Sequence, residues 1–204
     1  MHEENLTILT LFAHTEVFIY IFVEIMLSMP PVQRVILKMG GWKDKLFFII
    51  FFGAFSIMGT ALGIPLEEGV IANIRDFAPM LASLTAGPFV GISVGLIGGI
   101  HRLTMGGMTA VSSSISTVLT GLIFGYIYHI NKGKLIGTIP AMIFAVLNEL
   151  LHAAITLLMV GPWNVVWPIV SLAAPAMMIA NSLGIAIGII MTSKAIKECE
   201  HILG

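Results

Sequence analysis

Residues 70–102 read VIANIRDFAPMLASLTAGPFVGISVGLIGGIHR, and this stretch decides the fold. It is apolar except near its ends, at Arg75-Asp76 and His101-Arg102, and Gly87-Pro88 lies at its centre. About 33 residues are too many for one upright transmembrane helix and too few for two, because a crossing needs roughly 20. Three arrangements are open: one crossing preceded by a surface helix, two short crossings, or a re-entrant hairpin.

The rest of the chain consists of apolar segments long enough to cross a bilayer. Of the 204 residues, 57% are hydrophobic and 10% are charged, whereas a soluble domain carries about 25% charged residues. Lipid must therefore cover part of the surface. We predict an all-α integral membrane protein, a compact bundle of about six or seven short transmembrane helices. Outside the deciding stretch the apolar segments are 6–29, 46–64, 108–130, 135–160 and 164–192.

The ten lysine and arginine residues choose among the three arrangements, because cytoplasmic loops are enriched in them. A single crossing of 70–102 divides them five against five. A hairpin that turns at Gly87-Pro88 leaves Arg75 and Arg102 alone on one side. The other eight then share the second side: Arg34, Lys38, Lys43, Lys45, Lys132, Lys134, Lys194 and Lys197. We therefore predict a hairpin over 70–102, an outer N-terminus and a cytoplasmic C-terminus. Full crossing and re-entry of the hairpin both stay open.

Charge and cysteine content exclude several classes of function. The net charge is -1, so no basic field points to nucleic acid. The single cysteine, Cys199, excludes internal disulfides and cysteine-based metal sites. The glycine-rich segments lack the Lys-Ser/Thr ending of a phosphate loop, and no catalytic triad is present. We expect a chain without enzymatic activity and without a cofactor.

Arg75 and Arg102 are the two basic residues that the hairpin separates from all others. They lie at its two open ends, so they can converge at the mouth of a polar cavity. The guanidinium fork matches the two oxygens of a carboxylate, which suits a small anionic ligand. The alternative is a pair of interfacial arginines, which reach lipid headgroups or pair with Asp76, Glu67 and Glu68.

Ionisable side chains inside a span indicate function by default, because they are costly in lipid. Glu149 and His152 lie three residues apart within 135–160 and therefore on one helical face. Glu-x-x-His is half of a di-iron motif, but the second copy that such a site needs is missing. We predict no metal, and a polar pair that bonds neighbouring helices or lines a ligand cavity. Asn181, near Pro175 in the last span, is expected to satisfy backbone or ligand polar groups.

Small and hydroxyl-bearing residues pattern two further helices. Gly91, Gly95 and Gly99 repeat every four residues, which favours close packing against another helix backbone. Beyond Met108, five hydroxyl residues fall on one helical face, where they either line a wet pocket or allow close packing. These five are Thr109, Ser113, Ser116, Thr117 and Thr120.

Four short runs carry a family resemblance. They are Ala72-Asn73-Ile74-Arg75, Ala86-Gly87-Pro88-Phe89-Val90-Gly91, Gly99-Ile100-His101-Arg102 and Gly106-Gly107-Met108-Thr109-Ala110. Supporting residues match in the same order: Gly59-Thr60, Gly63, Glu149, Pro175, Met177, Asn181-Ser182 and Gly184. This ordered set resembles the five-transmembrane receptor domain of LytS/YhcK type, the membrane sensor of certain bacterial histidine kinases and diguanylate cyclases. His152 stands where that family usually has glutamine.

The resemblance covers about residues 46–192. It implies a single membrane domain, residues 1–204, with three parts. Residues 1–45 form an N-terminal span and a basic cytoplasmic loop, 46–192 the sensor region, and 193–204 the start of a cytoplasmic stalk. The implied ligand is a small carboxylate, such as pyruvate, that enters from the outer side. The residues expected to bind it are Arg75, Arg102, Asn73, His101, Glu149, His152, Asn181 and Thr109.

The resemblance further implies a protein of the cell membrane whose last helix signals to a cytoplasmic output domain, such as a kinase or a cyclase. Because kinases act as dimers, a homodimer is expected by analogy. The alternative function is the substrate-binding membrane subunit of an energy-coupling-factor vitamin transporter. Such subunits are also small, glycine-rich bundles, and transport of the ligand would distinguish them from a sensor.

Overall fold

The computed structural model describes the backbone of residues 2–203 and the side chains of residues 14–201. Within that range the chain forms eight α-helices, one 3₁₀ helix and a two-stranded antiparallel sheet. In chain order these are α1 His2–Ser28, α2 Pro30–Ile36, α3 Trp42–Ala61, β1 Ile64–Pro65, the 3₁₀ helix Glu67–Gly69, β2 Ile71–Ala72, α4 Phe77–Ala86, α5 Pro88–Thr104, α6 Ala110–Ile130, α7 Thr138–Met159 and α8 Trp163–Leu203. In the sheet Ile64 pairs with Ala72, and Pro65 with Ile71.

Four of these helices, α3, α6, α7 and α8, are long and apolar enough to cross a membrane. The pair α1–α2 is a fifth candidate if it is counted as one bent span. Each corresponds to one of the predicted apolar segments, so the all-α membrane fold is confirmed. Any further crossing among the predicted six or seven rests on α4 and α5.

The first span ends where its prolines predict. Helix α1 stops at Ser28, and Pro30-Pro31 occupies the first turn of α2, where the missing proline N–H groups leave no hydrogen bond unmade. The two helices meet at 89°. Helix α2 buries Val32, Val35 and Ile36, so it packs against the bundle across the direction of α1. This second short helix is absent from the sequence prediction.

The predicted turn at Gly87-Pro88 is present and joins two limbs of unequal length. Gly87 has a φ of +93°, which glycine adopts without strain, and Pro88 begins α5. Helix α4 has 10 residues, about 15 Å, or half the roughly 30 Å hydrocarbon core. The irregular residues 73–76 before α4 are all buried. Irregular backbone is tolerated at membrane depth where protein surrounds it in this way.

The glycine repeat of α5 packs against α6, as the spacing predicts. A Cβ at Gly95 would lie 2.7 Å from the carbonyl oxygen of Thr117, and one at Gly99 would lie 3.0 Å from that of Ser114. Only glycine allows the two backbones to approach this closely. The contact holds the hydroxyl face of α6 in register with the hairpin.

Opposite ends of the hairpin lie near different sets of charged residues. At its turn, Lys38 Nζ donates hydrogen bonds to the Thr85 carbonyl over 2.6 Å and to the Tyr128 hydroxyl over 3.0 Å. At its open end, the Met108 N–H donates to the Glu68 carbonyl over 3.1 Å. The turn therefore lies beside Lys38, one of the eight basic residues that the prediction assigns to its side. Which end faces the cytoplasm stays a prediction.

Helix α8 has 41 residues and continues through Pro168 and Pro175. A crossing uses roughly 20 residues, so α8 extends well beyond one bilayer. Residues 193–203 are helical, and their assignment to a cytoplasmic stalk stays a prediction.

Candidate functional site

The backbone of Arg75 is fixed by its neighbours in the buried segment 73–76. Asn73 Oδ1 accepts a hydrogen bond from the Arg75 N–H over 3.0 Å, and Asn73 Nδ2 donates to the Ile71 carbonyl over 2.7 Å. Asparagine commonly stabilises a turn in this way. Ser56 Oγ donates to the Arg75 carbonyl over 3.3 Å. The segment packs closely against Gly59, because a Cβ at that position would lie 3.1 Å from Arg75 Cα.

The Arg75 guanidinium is fully buried and reaches across to α6. Its Nε donates to Thr117 Oγ1 over 2.6 Å, and its Nη2 lies 3.4 Å from the Ser113 carbonyl. The same Nε lies 3.5 Å from Asp76 Oδ1. Nη1 has no hydrogen-bond partner among the described residues. The prediction placed Arg75 at an open mouth. In the structure it lies inside the bundle, with one donor nitrogen unpaired.

Arg102 is also fully buried, and it binds backbone rather than acidic side chains. Its Nη1 donates to the Gly106 carbonyl, and its Nη2 donates to the Gly69 carbonyl and to Thr109 Oγ1, each over 3.1 Å. No ion pair joins Arg102 to an acidic residue in the part of the chain whose side chains are described. Its Nε has no partner there either. Of the alternative pairings, that of Arg75 with Asp76 is present, whereas Arg102 pairs with neither Glu67 nor Glu68 among the described side chains.

Asp76 and His152 form the centre of the polar network. His152 Nδ1 lies 3.3 Å from Asp76 Oδ2, and His152 Nε2 lies 3.1 Å from Ser113 Oγ. Thr117 Oγ1 lies 2.6 Å from Asp76 Oδ1, so this hydroxyl bridges Asp76 and Arg75. The segment just before α4 meets helices α6 and α7 at these groups.

Glu149 extends the network to α8. The Glu149 carboxylate lies 3.7 Å from His152 Nδ1 and accepts a hydrogen bond from Asn181 Nδ2 over 3.0 Å. Asn181 Nδ2 also lies 3.4 Å from the Asn73 carbonyl. The predicted role of Glu149 and His152 as a polar pair bonded to neighbouring helices agrees with these contacts.

The hydroxyl face of α6 turns inward along its whole length. Thr120 Oγ1 donates to Asn148 Oδ1 over 3.1 Å, and Thr156 Oγ1 donates to Ser112 Oγ over 3.2 Å, so the face also bonds α7. The five residues predicted to share it are all buried: Thr109, Ser113, Ser116, Thr117 and Thr120.

A cavity of about 40 Å³ borders the network. Glu149, His152, Ser113 and Thr109 line one side, and the α8 residues Val170, Ala173, Ala174 and Met177 line another. A water molecule needs about 10–15 Å³ of such space. The cavity therefore has room for about three waters, and a larger ligand needs more space than this conformation provides.

The predicted ligand residues fall into two neighbouring groups and one outlier. Asn73, Arg75, Glu149, His152 and Asn181 belong to the connected network. Arg102 and Thr109 form a second group, and Thr109 borders the same cavity. His101 is half-buried, and its Nδ1 has no hydrogen-bond partner among the described residues.

Asp76, Ser113 and Thr117 belong to the network without having been predicted as ligand residues. Two features of the sequence point to them in part, since Asp76 adjoins Arg75 and the two hydroxyls lie on the predicted polar face. Asp76 also completes a set of three possible metal ligands with Glu149 and His152, whose donor atoms lie within 4.8 Å of one another. Because Arg75 already supplies a positive charge beside Asp76, the absence of a metal stays our prediction.

A family model described as 5TMR of 5TMR-LYT matches residues 29–195. The chain belongs to this family of five-transmembrane receptors of LytS type. The match covers the hairpin, the polar network and the first part of the α8 extension.

Several sensor proteins are similar to this five-transmembrane receptor. It is 35% identical over 162 residues to the sensor histidine kinase BtsS of Escherichia coli (strain K12), covering 77% of this chain and 28% of that protein. It is 33% identical over 184 residues to the sensor protein LytS of Bacillus cereus, covering 83% and 31%. For the sensor protein LytS of Staphylococcus epidermidis the identity is 33% over 189 residues, covering 78% and 30%. No solved structure matches the chain.

The predicted family and membrane location are thereby confirmed. The chain is a membrane sensor domain of the kind found in two-component histidine kinases. It spans less than a third of the length of the three relatives named above.

Proposed function

We propose that this five-transmembrane receptor binds a small carboxylate at Arg75 and Arg102 and signals through α8 to a cytoplasmic kinase. One observation carries the proposal. Arg102 is a fully buried cation without an acidic partner among the side chains of residues 14–201. A buried charge is costly unless a counter-ion accompanies it, so an anionic ligand stabilises this site.

The unpaired nitrogens specify the kind of anion. Arg75 Nη1 and Arg102 Nε are buried donors that no described group satisfies. Carboxylate oxygens accept strong, charge-assisted hydrogen bonds from guanidinium nitrogens. The hydroxyls of Thr109 and Ser113 border the cavity between α6 and α8 and supply donors for a second polar group of the ligand.

The small size of the cavity couples binding to movement. At about 10–15 Å³ for each water, about 40 Å³ holds about three waters, and a three-carbon acid is larger than that. Val170, Ala173 and Met177 of α8 form one wall, so admitting the ligand requires this wall to move away from α6 and α7.

Helix α8 offers a continuous path for that movement. It runs without a break from the cavity wall to Leu203. A ligand shifts the balance between two poses of α8 only if it binds one of them more tightly. The open cavity supplies such a difference, because the ligand fits only there. The relative BtsS is named a sensor histidine kinase, and we extend a kinase output to this chain as part of the proposal.

Ligand-induced thermal stabilisation of the purified chain tests the binding site. The panel contains pyruvate, lactate, acetate and succinate, with acetone as an uncharged control. We expect one of the acids to raise the melting temperature and Arg102→Lys to weaken its apparent affinity about tenfold or more, because lysine has no counterpart of the unpaired Nε donor of Arg102. Arg34→Gln is the matched control, since Arg34 is half exposed and pairs with Asp44 elsewhere. If Arg102→Lys binds the acid unchanged, the proposed site is wrong.

Flux through the same protein distinguishes a sensor from a transporter subunit. The chain is reconstituted into liposomes with radiolabelled ligand outside. Binding without accumulation inside the vesicles agrees with the proposed sensor. Accumulation that depends on the protein would contradict it and favour the vitamin-transporter alternative.

A further inference from the structure

A second cavity, far larger than the first, lies at the hairpin-turn end of the bundle. Its volume is about 920 Å³, within the range of roughly 300–1,000 Å³ typical of ligand pockets. It is enclosed by the end of α2 and the loop after it, the ends of α4 and α6, the loop before α7, and the stalk part of α8. We call it the lysine cavity, after Lys38, Lys132, Lys134 and Lys197 in its lining.

The charge of the lysine cavity is strongly one-sided. Its lining carries these four lysines against a single acidic residue, Glu200. Lys132, Lys134 and Lys197 form no ion pair within the described side chains, and all three are exposed. Such an excess of ammonium groups attracts an anion.

A fully buried hydroxyl in the lining indicates a ligand, and this evidence is independent of the charge of the cavity. Thr192 of α8 is 0% exposed and lines the cavity, and its Oγ1 has no hydrogen-bond partner in residues 14–201. Buried hydroxyls are nearly always satisfied, so this one points to a polar group that the chain does not supply. Lys38, in contrast, is held in place by the Thr85 carbonyl and by the ring of Tyr128, 4.6 Å below its Nζ.

Much of the remaining lining is apolar, which favours a lipid over a free anion. Six apolar side chains share the wall with the lysines: Ile36, Leu37, Met39, Leu84, Leu135 and Ile196. A soluble phosphate makes no use of such a surface, whereas the glycerol and upper acyl region of a phospholipid does. Basic pockets between transmembrane helices are known to bind anionic headgroups.

We propose that the lysine cavity binds the phosphate headgroup of an anionic phospholipid. The phosphodiester lies among Lys132, Lys134 and Lys197, within reach of Thr192, and the upper acyl chains lie against the apolar wall. Because Thr192, Ile196 and Lys197 belong to α8, the lipid contacts the base of the stalk. This site is separate from the carboxylate site and does not depend on it.

Native mass spectrometry of the detergent-purified chain provides the test. Wild-type protein is titrated with phosphatidylglycerol or phosphatidylcholine of the same acyl chains. We expect wild type to retain phosphatidylglycerol about tenfold more strongly. The triple variant Lys132→Gln, Lys134→Gln, Lys197→Gln should lose this preference. The matched triple Lys43→Gln, Lys45→Gln, Lys194→Gln removes the same charge outside the cavity and should keep it.

Four outcomes would overturn the proposal. Equal retention of the two lipids excludes an anionic headgroup site. Equal loss in both triple variants indicates general surface attraction. Full displacement of the lipid by inorganic phosphate or by glycerophosphoglycerol indicates a site for a free anion. If the cavity triple variant binds lipid as the wild type does but shows a different proportion of dimer, the occupant is a second copy of the chain.

A second measurement leaves all lysines in place, in case the triple variant fails to fold. Ser193→Cys in a Cys199→Ser background introduces a single label site on the cavity wall. A fluorophore there should be quenched by phosphatidylglycerol carrying a spin label near the headgroup, and far less by the matching phosphatidylcholine. Equal quenching by both lipids contradicts the proposal.

Discussion

Asn181 of α8 donates a hydrogen bond to Glu149 of α7 over 3.0 Å, and the same amide nitrogen lies 3.4 Å from the Asn73 carbonyl. One side chain thus joins the helix that leaves the bundle to the segment that carries Arg75. Asn181 is fully buried, and so water does not replace these contacts when the side chain changes.

Replacing Asn181 by leucine is expected to destabilise the bundle. The substitution leaves a buried carboxylate oxygen of Glu149 without its donor, at a cost of roughly 1–3 kcal/mol or more. Thermal unfolding in detergent should show a clearly lower melting temperature. Ser182→Ala is the matched control on the same helix, since Ser182 bonds only the Ile179 carbonyl one turn away. A melting temperature of Asn181→Leu equal to that of Ser182→Ala would rule out the bridge.

Two Arg–Asp pairs in this chain should respond very differently to loss of the acid. Asp76 and Arg75 are both 0% exposed, so Asp76→Asn leaves a buried guanidinium without its counter-ion. Removing one partner of a buried pair costs about 3–5 kcal/mol. Asp44→Asn removes the acid from the exposed pair with Arg34 and should change stability little.

Chemical denaturation of the two variants in parallel measures this difference. We expect a large loss for Asp76→Asn and a small one for Asp44→Asn. The prediction also bears on the network, because Asp76 lies between Arg75 and His152. Comparable losses for the two variants would mean that the Arg75–Asp76 contact contributes no more than an exposed pair.

Close packing of α5 on α6 depends on Gly95. A methyl group there would lie 2.7 Å from the Thr117 carbonyl oxygen, and backbone cannot yield as a flexible side chain does. Gly95→Ala should therefore destabilise the protein by about 1–3 kcal/mol. Gly137→Ala is the control, since its methyl group meets only ordinary contacts with Pro140 at 3.6 Å. The melting temperatures of the two variants check the prediction, which fails if they coincide.

The elements that follow from local pattern were predictable from the sequence. Long apolar segments gave the spans, Gly87-Pro88 gave the hairpin turn, and the glycine spacing of α5 gave its contact with α6. These features depend on residues close together along the chain. Of the sharp turn between α1 and α2, only the end of α1 was predictable, because a proline pair ends a helix without setting the direction of the next one.

The site itself was only partly predictable, because its members come from separate helices. Asp76 meets His152 through tertiary packing that no periodicity records. Arg102 binds the carbonyl of Gly69, which lies in the connection between the two strands, and a two-residue strand leaves no pattern in the sequence. For the same reason the sequence placed both arginines at an open mouth, whereas both are buried.

The orientation of the chain in the membrane can be tested through its single cysteine. Cys199 lies on the stalk part of α8, which we predict to be cytoplasmic. A membrane-impermeant maleimide applied to intact cells should leave Cys199 unlabelled until the membrane is permeabilised. Met105→Cys in a Cys199→Ser background places an exposed thiol at the opposite end and should be labelled from outside. Labelling of Cys199 in intact cells would reverse the predicted orientation.

Filling the small cavity from its α8 wall should block the ligand without touching a polar residue. Ala174 lines the cavity and is only partly buried, so a leucine there can enter the space of about 40 Å³. Overpacking a filled core costs about 1–3 kcal/mol. The protein without ligand should lose little stability, because part of the new side chain fills existing space. The apparent affinity for a small carboxylate, measured from its thermal stabilisation of the protein, should in contrast fall about tenfold or more. Ala154→Leu is the matched control, since Ala154 is exposed on α7 and lies outside the cavity lining. Undiminished ligand stabilisation of Ala174→Leu, with Ala154→Leu behaving as wild type, would place the ligand somewhere other than between α6 and α8.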